Sequence, residues 1–313
     1  ENLQLLGENY IKQMKRDLTP LTFQTSILCQ RIGIAKDGFY SSMREGHKYD
    51  ASNFSQLDEL FKSSLVMSNG DILRQREQSR ACSDYDECSQ DWPVGQLCAN
   101  LDATCDADVD PDQPLCIGMD YNANINWIVA GQPRERRLNV VKSFYVKFER
   151  KIPALIDDFC AYYRNHRNKT VIYYYDATAL NSNYAVNEQD VRWWVIHELE
   201  RHGWTVEAVY LGNPMRHDEK YLLINQAFAG RQRLMPFFNR TNNEDLILAI
   251  QAAGVSRGRN GFRKDKAGEK LAETEEDLLE HRTDGTDAFD TLYIGCEKFP
   301  VHSASTINIS GVL

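Results

Sequence analysis

The chain has 313 residues, of which 42% are hydrophobic, 26% charged and 11% aromatic, a composition that excludes a disordered chain. It contains no run of about 18 apolar residues, which excludes a helical membrane span. Net charge is −9, which taken alone argues against a polyanionic partner.

The first residues (Glu1, Asn2, Leu3, Gln4) carry no basic stretch ahead of an apolar one, so no secretory signal is expected. With no initiator Met, the chain is expected to be a processed or excised piece. Residues 1–65 read as helical, with apolar side chains at Leu5, Tyr10, Ile11 and Met14, then at Leu21, Phe23, Ile27 and Leu28. Residues 66–113 turn polar and acidic and are expected to form a linker or long loop. The span 82–116 holds nine acidic residues and no Lys or Arg, so its −9 equals that of the whole chain and the remainder sums to zero. Five of the eight cysteines (Cys82, Cys88, Cys98, Cys105, Cys116) lie in it with no CxxC pair. Zinc knuckles are therefore not expected, and reduced thiols are the default. In the neutral remainder, residues 131–151 carry seven basic side chains against two acids, and residues 254–270 carry six against two. Such patches, rather than net charge, set where a polyanion docks, although solvated loops show the same composition.

From residue 115 the pattern sharpens. Leu115, Cys116, Ile117, Gly118 and Met119 form an apolar run that stops at Asp120, the mark of a buried strand. Strands are predicted over 126–130 and 138–146, so close together that they imply an antiparallel meander. The periodicity then predicts a helix over 152–164 and a strand over 170–175 that stops at Asp176. A helix over 188–202, a strand over 205–211, a helix over 217–229, a strand over 233–238 and a helix over 243–253 follow. After a basic, Gly-rich loop, a last helix covers 286–299. Three meander strands followed by helix-linked ones make a mixed sheet with helices on its faces. In such a sheet the first and fourth strands lie side by side, bringing Asp120 and Asp176 to one sheet end.

Two adjacent carboxylates repel unless a cation lies between them, and a hard divalent ion held by carboxylates and water relieves that repulsion. Asp284, Asp287 and Asp290 recur every three residues and share one face of the last helix, so any of them is a candidate third acid. Three acids at one point suit two metal ions about 3.5–4 Å apart, clamping the attacking and leaving oxygens of a phosphodiester. Other motifs fall away. His197 and His202 are five residues apart, about 140° around a helix, so they cannot act as a zincin pair. No GxxxxGK[ST], GxGxxG or GxSxG occurs.

The stretch Ile117-Gly118-Met119-Asp120-Tyr121-Asn122 resembles the opening of the nuclease domain of phage terminase large subunits, and Tyr173-Tyr174-Tyr175-Asp176 resembles its second acidic strand end. Arg263-Lys264-Asp265-Lys266 with Glu269, followed by His281 through Asp290, is similar to that family's closing region. The resemblance covers roughly residues 114–299. It implies an RNase H-like fold for residues 114–313: three antiparallel strands, then helix-linked parallel strands, flanked by helices. Residues 1–65 resemble the end of the preceding ATPase domain and its connector. The implied activity is that of a Mg²⁺- or Mn²⁺-dependent endonuclease, with two ions, that cuts concatemeric viral DNA during genome packaging. Asp120 and Asp176 would then be catalytic metal ligands. Asp287 would be the third, because it directly precedes Ala288 as in the family's pattern, with Asp290 a further metal ligand and Asp284 ranked behind both. Arg257, Arg259, Arg263, Lys264 and Lys266 would bind DNA. The implied partners are double-stranded DNA, an ATPase motor domain, the portal and the small terminase subunit, with no membrane and a host-cytoplasmic location. The chain contains no ATPase motor, and its acidic, Cys-rich segment has no counterpart in the family's pattern. The same acids also suit another RNase H-like nuclease, such as a junction resolvase or transposase. The non-enzymatic alternative is a phage assembly module in which the acids are structural.

Overall fold

The structure, a computed structural model, describes residues 38–50, 103, 106–180, 189–258, 261–266 and 279–300. Residues 1–37, 51–102 and 301–313 lie outside the described residues, and with them most of the expected helical extension and acidic linker.

Nine strands and five α-helices are described. In chain order they are β1 (Lys48–Tyr49), β2 (Leu115–Tyr121), β3 (Ile125–Arg134), β4 (Arg137–Lys147), α1 (Ile152–Tyr162), β5 (Thr170–Tyr175), α2 (Val191–Arg201), β6 (Thr205–Tyr210), α3 (His217–Phe228), β7 (Met235–Asn239), α4 (Glu244–Ala252), β8 (Val255–Gly258), β9 (Gly261–Lys264) and α5 (Asp284–Lys298). Seven strands form one sheet in the order β1-β7-β4-β3-β2-β5-β6. β2, β3 and β4 are an antiparallel meander, β5 pairs parallel with β2, and β6 pairs parallel with β5. The middle of the sheet therefore runs third-second-first-fourth-fifth in chain order, the RNase H-like arrangement, with β7 and β1 added beyond β4.

Both faces of the middle of the sheet are covered, which is why β2 and β5 read as unbroken apolar runs, whereas edge strand β6 has no buried residue. Alternation sends Leu115, Ile117 and Met119 to one face, where they pack with Phe159 of α1 and Val195 and Leu199 of α2. Cys116, Trp127, Val129 and Tyr174 face the other side, with Ile224 of α3, Leu246 of α4 and Phe289 and Leu292 of α5. α5 lies directly on this second face. At Gly118 a Cβ would run into the Leu292 amide and the Ala288 carbonyl, so the helix backbone seats on the strand itself. Gly295 seats in the same way on the ring of Tyr174.

Two elements differ from the sequence expectation. Residues 38–50 are not α-helical: a 3₁₀ turn over Glu45–His47 leads into β1, which pairs parallel with β7. Their backbone is satisfied from outside. Asn225 of α3 donates to the Phe39 carbonyl at 2.9 Å and accepts from the Ser42 amide at 2.8 Å, while Phe39 and Tyr40 are buried in the core. The basic, Gly-rich stretch is not only a loop, since β8 and β9 pair antiparallel from Val255↔Lys264 to Gly258↔Gly261.

The end of the acidic segment is built into the interior. Asp106 and Asp108 are buried. Asp106 accepts from Tyr162 at 2.6 Å and from Asn242 at 2.9 Å; Asp108 accepts from Tyr49 and, at 3.1 Å, from Asn239. Burial pushes both carboxyls up, Asp106 to about 8 with the neighbouring Asp108 adding to the effect. Part of the 131–151 basic cluster is used here as counter-charge: the charge of Arg134 stabilises Asp108, and that of Lys142 stabilises Asp106. Arg137 is fully buried, Lys147 pairs with Glu280 at 2.7 Å and Arg150 with Asp158 at 2.8 Å. That cluster is therefore largely consumed by the fold.

Candidate active site

The alternation that directs Cys116 and Gly118 toward α5 directs Asp120 and Asn122 to the same face, and Tyr174 does the same for Asp176. The β2–β5 register runs Cys116↔Ile172 and Gly118↔Tyr174. Continued by one more pair on that face, it sets Asp120 beside Asp176 at the carboxyl ends of neighbouring strands, whose axes lie about 4.8 Å apart. Both carboxylates act on Tyr121: burial and the Tyr173 hydroxyl raise its phenol well above the usual range, and Asp176 and Asp120 add to the shift.

α5 brings Asp284 to Asp120. Asp284 opens that helix, where a negative side chain complements the exposed amides and the macrodipole. Gly285 sits on the indole of Trp127, which is the cross-strand partner of Asp120. The Asn122 side-chain amide donates to Asp120 Oδ2 at 3.0 Å and also to Asp284 Oδ1, so one nitrogen bridges two carboxylates. Burial, reinforced by Asp287, raises the Asp284 carboxyl, while Lys266 and Asn122 pull it back. Asp176 turns Oδ1 to the Thr178 amide at 2.9 Å and the Thr178 hydroxyl at 2.5 Å.

Asp287 and Asp290, expected as metal ligands, are bonded to lysines and a tyrosine. The Lys264 ammonium donates to Asp287 Oδ1 at 2.7 Å, Asp290 Oδ2 at 2.8 Å and Thr286 Oγ1 at 2.8 Å. Lys266 donates to Asp287 Oδ2 at 2.5 Å, and Tyr40 donates to Asp290 Oδ1 at 2.7 Å. Lys220 of α3 lies 3.7 Å from Asp287 and 3.5 Å from Asp290. Burial works against the Asp287 carboxylate, but Lys264, Lys220 and Lys266 outweigh it and hold its pKa well below the usual carboxylate range. Lys264, expected on DNA, has a side chain that is 0% exposed, and its three N–H donors are all used. Among the other expected DNA contacts, Arg263 is exposed and Lys266 is 37% exposed despite its bond to Asp287. Arg259 and the side chain of Arg257 lie outside the described residues.

Asn122, Tyr40 and Lys220 are site residues that the sequence reading missed. Asn122 was within reach of period two, two positions past Asp120. Nothing local marks Tyr40 or Lys220.

Asp120 and Asp284 meet through Asn122, Asp176 lines a cleft with Thr291 and Ile294 further along α5, and no three His, Cys, Asp or Glu side chains among the described residues converge on one point. Their chemistry nevertheless fits a hard divalent ion, with carboxylate oxygens as the donors and an amide nitrogen between two carboxylates where a cation would neutralise them.

No protein-family model and no curated protein matches the chain. Among solved structures it is similar to the large terminase of a thermophilic bacteriophage in complex with ADP, with a TM-score of 0.40, 14% identity and coverage of 78% of this chain and 58% of that one. It is similar to the large terminase nuclease of thermophilic phage G20c with bound cobalt (TM-score 0.36, 10% identity, 59% of this chain and 83% of that one). It is also similar to the g2p nuclease domain of bacteriophage SPP1 with bound Mn (TM-score 0.33, 10% identity, 58% and 86%). These are likenesses of fold at low identity, and the chain spans 58% of the length of the ADP-bound large terminase.

Proposed function

We propose that this chain is a divalent-cation-dependent DNA endonuclease of the terminase kind, cutting concatemeric viral DNA during genome packaging by phosphodiester hydrolysis. The observation that carries the reading is the Asn122 amide that ties Asp120 to Asp284, with Asp176 closing the strand that pairs parallel with that of Asp120. Asp120, Asp176 and Asp284 would hold two Mg²⁺ or Mn²⁺ ions. When bound, such a pair supplies an activated water and neutralises charge on the leaving 3′ oxygen. The chain's own side chains set the stage for that chemistry. Asn122 orients Asp120 and Asp284 together, Thr178 fixes the Asp176 carboxylate, and Trp127 closes the floor against water. Arg263 and Lys266 offer positive charge to a phosphate backbone at the rim, with Arg257 and Arg259 proposed beside them. Double-stranded DNA is the proposed substrate. An ATPase motor domain, the portal and the small terminase subunit are the proposed partners, and the host cytoplasm the proposed location. The proposed nuclease unit is residues 114–313, preceded by an acidic segment (66–113) and by residues 1–65 as the end of the motor and its connector.

The test is nicking and linearisation of supercoiled plasmid with Mn²⁺, Mg²⁺ or EDTA. Metal-dependent cutting should vanish in Asp120→Asn, Asp176→Asn and Asp284→Asn, and fall about tenfold to a hundredfold in Asn122→Ala. Loss in Asp287→Asn but not in Asp284→Asn would return the third ligand to Asp287. A folded wild type that neither cuts nor binds Mn²⁺ would support the assembly-module reading instead.

A further inference from the structure

We infer that Lys264 is a resident counter-ion: its ammonium takes Asp287 and Asp290 out of the divalent-cation site and pins α5 with Asp284 held to Asp120 through Asn122. The inference rests on the reading above for the role of Asp284 and otherwise on geometry.

An ammonium has three donors, and here each has one acceptor at 2.7–2.8 Å. The side chain is fully buried, and the rings of Phe39 and Tyr40 lie 5.2 and 5.3 Å from Nζ, walling it from water and favouring a cation. All four oxygens of Asp287 and Asp290 already receive a proton donor, from Lys264, Lys266 and Tyr40. Two carboxylates thus face two bonded ammoniums, with Lys220 a third positive charge at 3.5–3.7 Å. A dication arriving there would meet charge already neutralised, and to share the oxygens that Lys264 holds it would have to displace a fully buried ammonium.

Helical geometry extends the effect. Three residues along an α-helix is a step of about 4.5 Å with a shift of about 60° around the axis. Fixing Asp290 and Asp287 therefore fixes where Asp284 stands, one step nearer the helix start. That position is the one where Asn122 meets it. Lys264 lies at the end of β9, outside α5, so the anchor comes from a separate element. In these terms it is a positioning residue, not a catalytic one.

The test uses the full chain labelled with ¹⁵N-lysine and ¹⁵N-asparagine, followed by NMR during titration with Mg²⁺. The Lys264 ammonium, assigned by its absence in Lys264→Met, should be visible through slow exchange at neutral pH. It should stay unchanged at saturating Mg²⁺, while the Asn122 side-chain amide shifts. An Asn122 that responds together with a displaced Lys264 signal would overturn the inference alone. An Asn122 that does not respond would overturn the nuclease reading and this inference with it. Plasmid cutting gives a second readout. Lys264→Met alone should cut at least tenfold more slowly, and the all-neutral Lys264→Met/Asp287→Asn/Asp290→Asn should recover to within about threefold of wild type. A folded triple variant without activity would make Asp287 or Asp290 a ligand and sink the proposal.

Discussion

Asp290 is wholly buried and shares its two oxygens between Tyr40 and Lys264. Removing it leaves a buried ammonium short of a partner, so Asp290→Leu should destabilise the fold by roughly 3–5 kcal/mol, because an uncompensated buried charge costs more than the pair contributes. The denaturant midpoint measures this, and Lys264→Met added to Asp290→Leu should restore most of it. This network also shows where residue-scale reading ends. Asp120 and Asp176 are legible because an apolar strand that stops at a charge is a distinctive pattern. The choice among Asp284, Asp287 and Asp290 is not, because their equal spacing puts all three on one helical face. What tells Asp290 apart in the fold is its bonding to Lys264 and Tyr40, which lie 26 and 250 positions from it in sequence.

At the scale of elements, the contact between β2 and α5 sets the geometry of the site. Gly118→Ala would force the helix off the strand, because the atoms it meets are backbone and cannot swing aside. A cost of about 1–3 kcal/mol is expected from overpacking. Because Asp120 is two residues further along the same strand, cutting should fall with stability, and thermal unfolding beside the plasmid assay checks both. The order of the long strands and helices follows from their periodicity, which is strong over five or more residues. β1, with two residues, is too short to carry a period, and it exists because β7 pairs with its backbone, while Asn225 holds the backbone of Phe39 and Ser42 upstream of it. The β8–β9 hairpin has four residues per strand. Strands that short carry no period either.

For the whole molecule, acidic and basic runs that look like separate surfaces meet in part inside it. Asp106 has a folded pKa raised to about 8 by burial and by Asp108, against about 3.9 in an unfolded chain. A raised carboxyl favours the folded state below the unfolded value, and that advantage is lost as pH rises toward about 8. Asp106→Asn removes this dependence. The melting temperature of the variant should therefore gain on wild type steadily between about pH 4 and pH 8; a constant difference would mean that Asp106 is ionised in the fold. Composition alone could not reveal this, since a net charge says nothing about which charges face one another.

The seat of Gly285 on Trp127 has a practical consequence. The indole is fully buried beneath the strand end that carries Asp120 and against the helix start that carries Asp284. A paramagnetic ion dims a fluorophore only at short range, so an ion held at that corner would be reported by the protein's own indole. Mn²⁺ should quench part of the tryptophan emission of wild type, and Trp127→Phe should lose that part while the exposed Trp193 continues to glow.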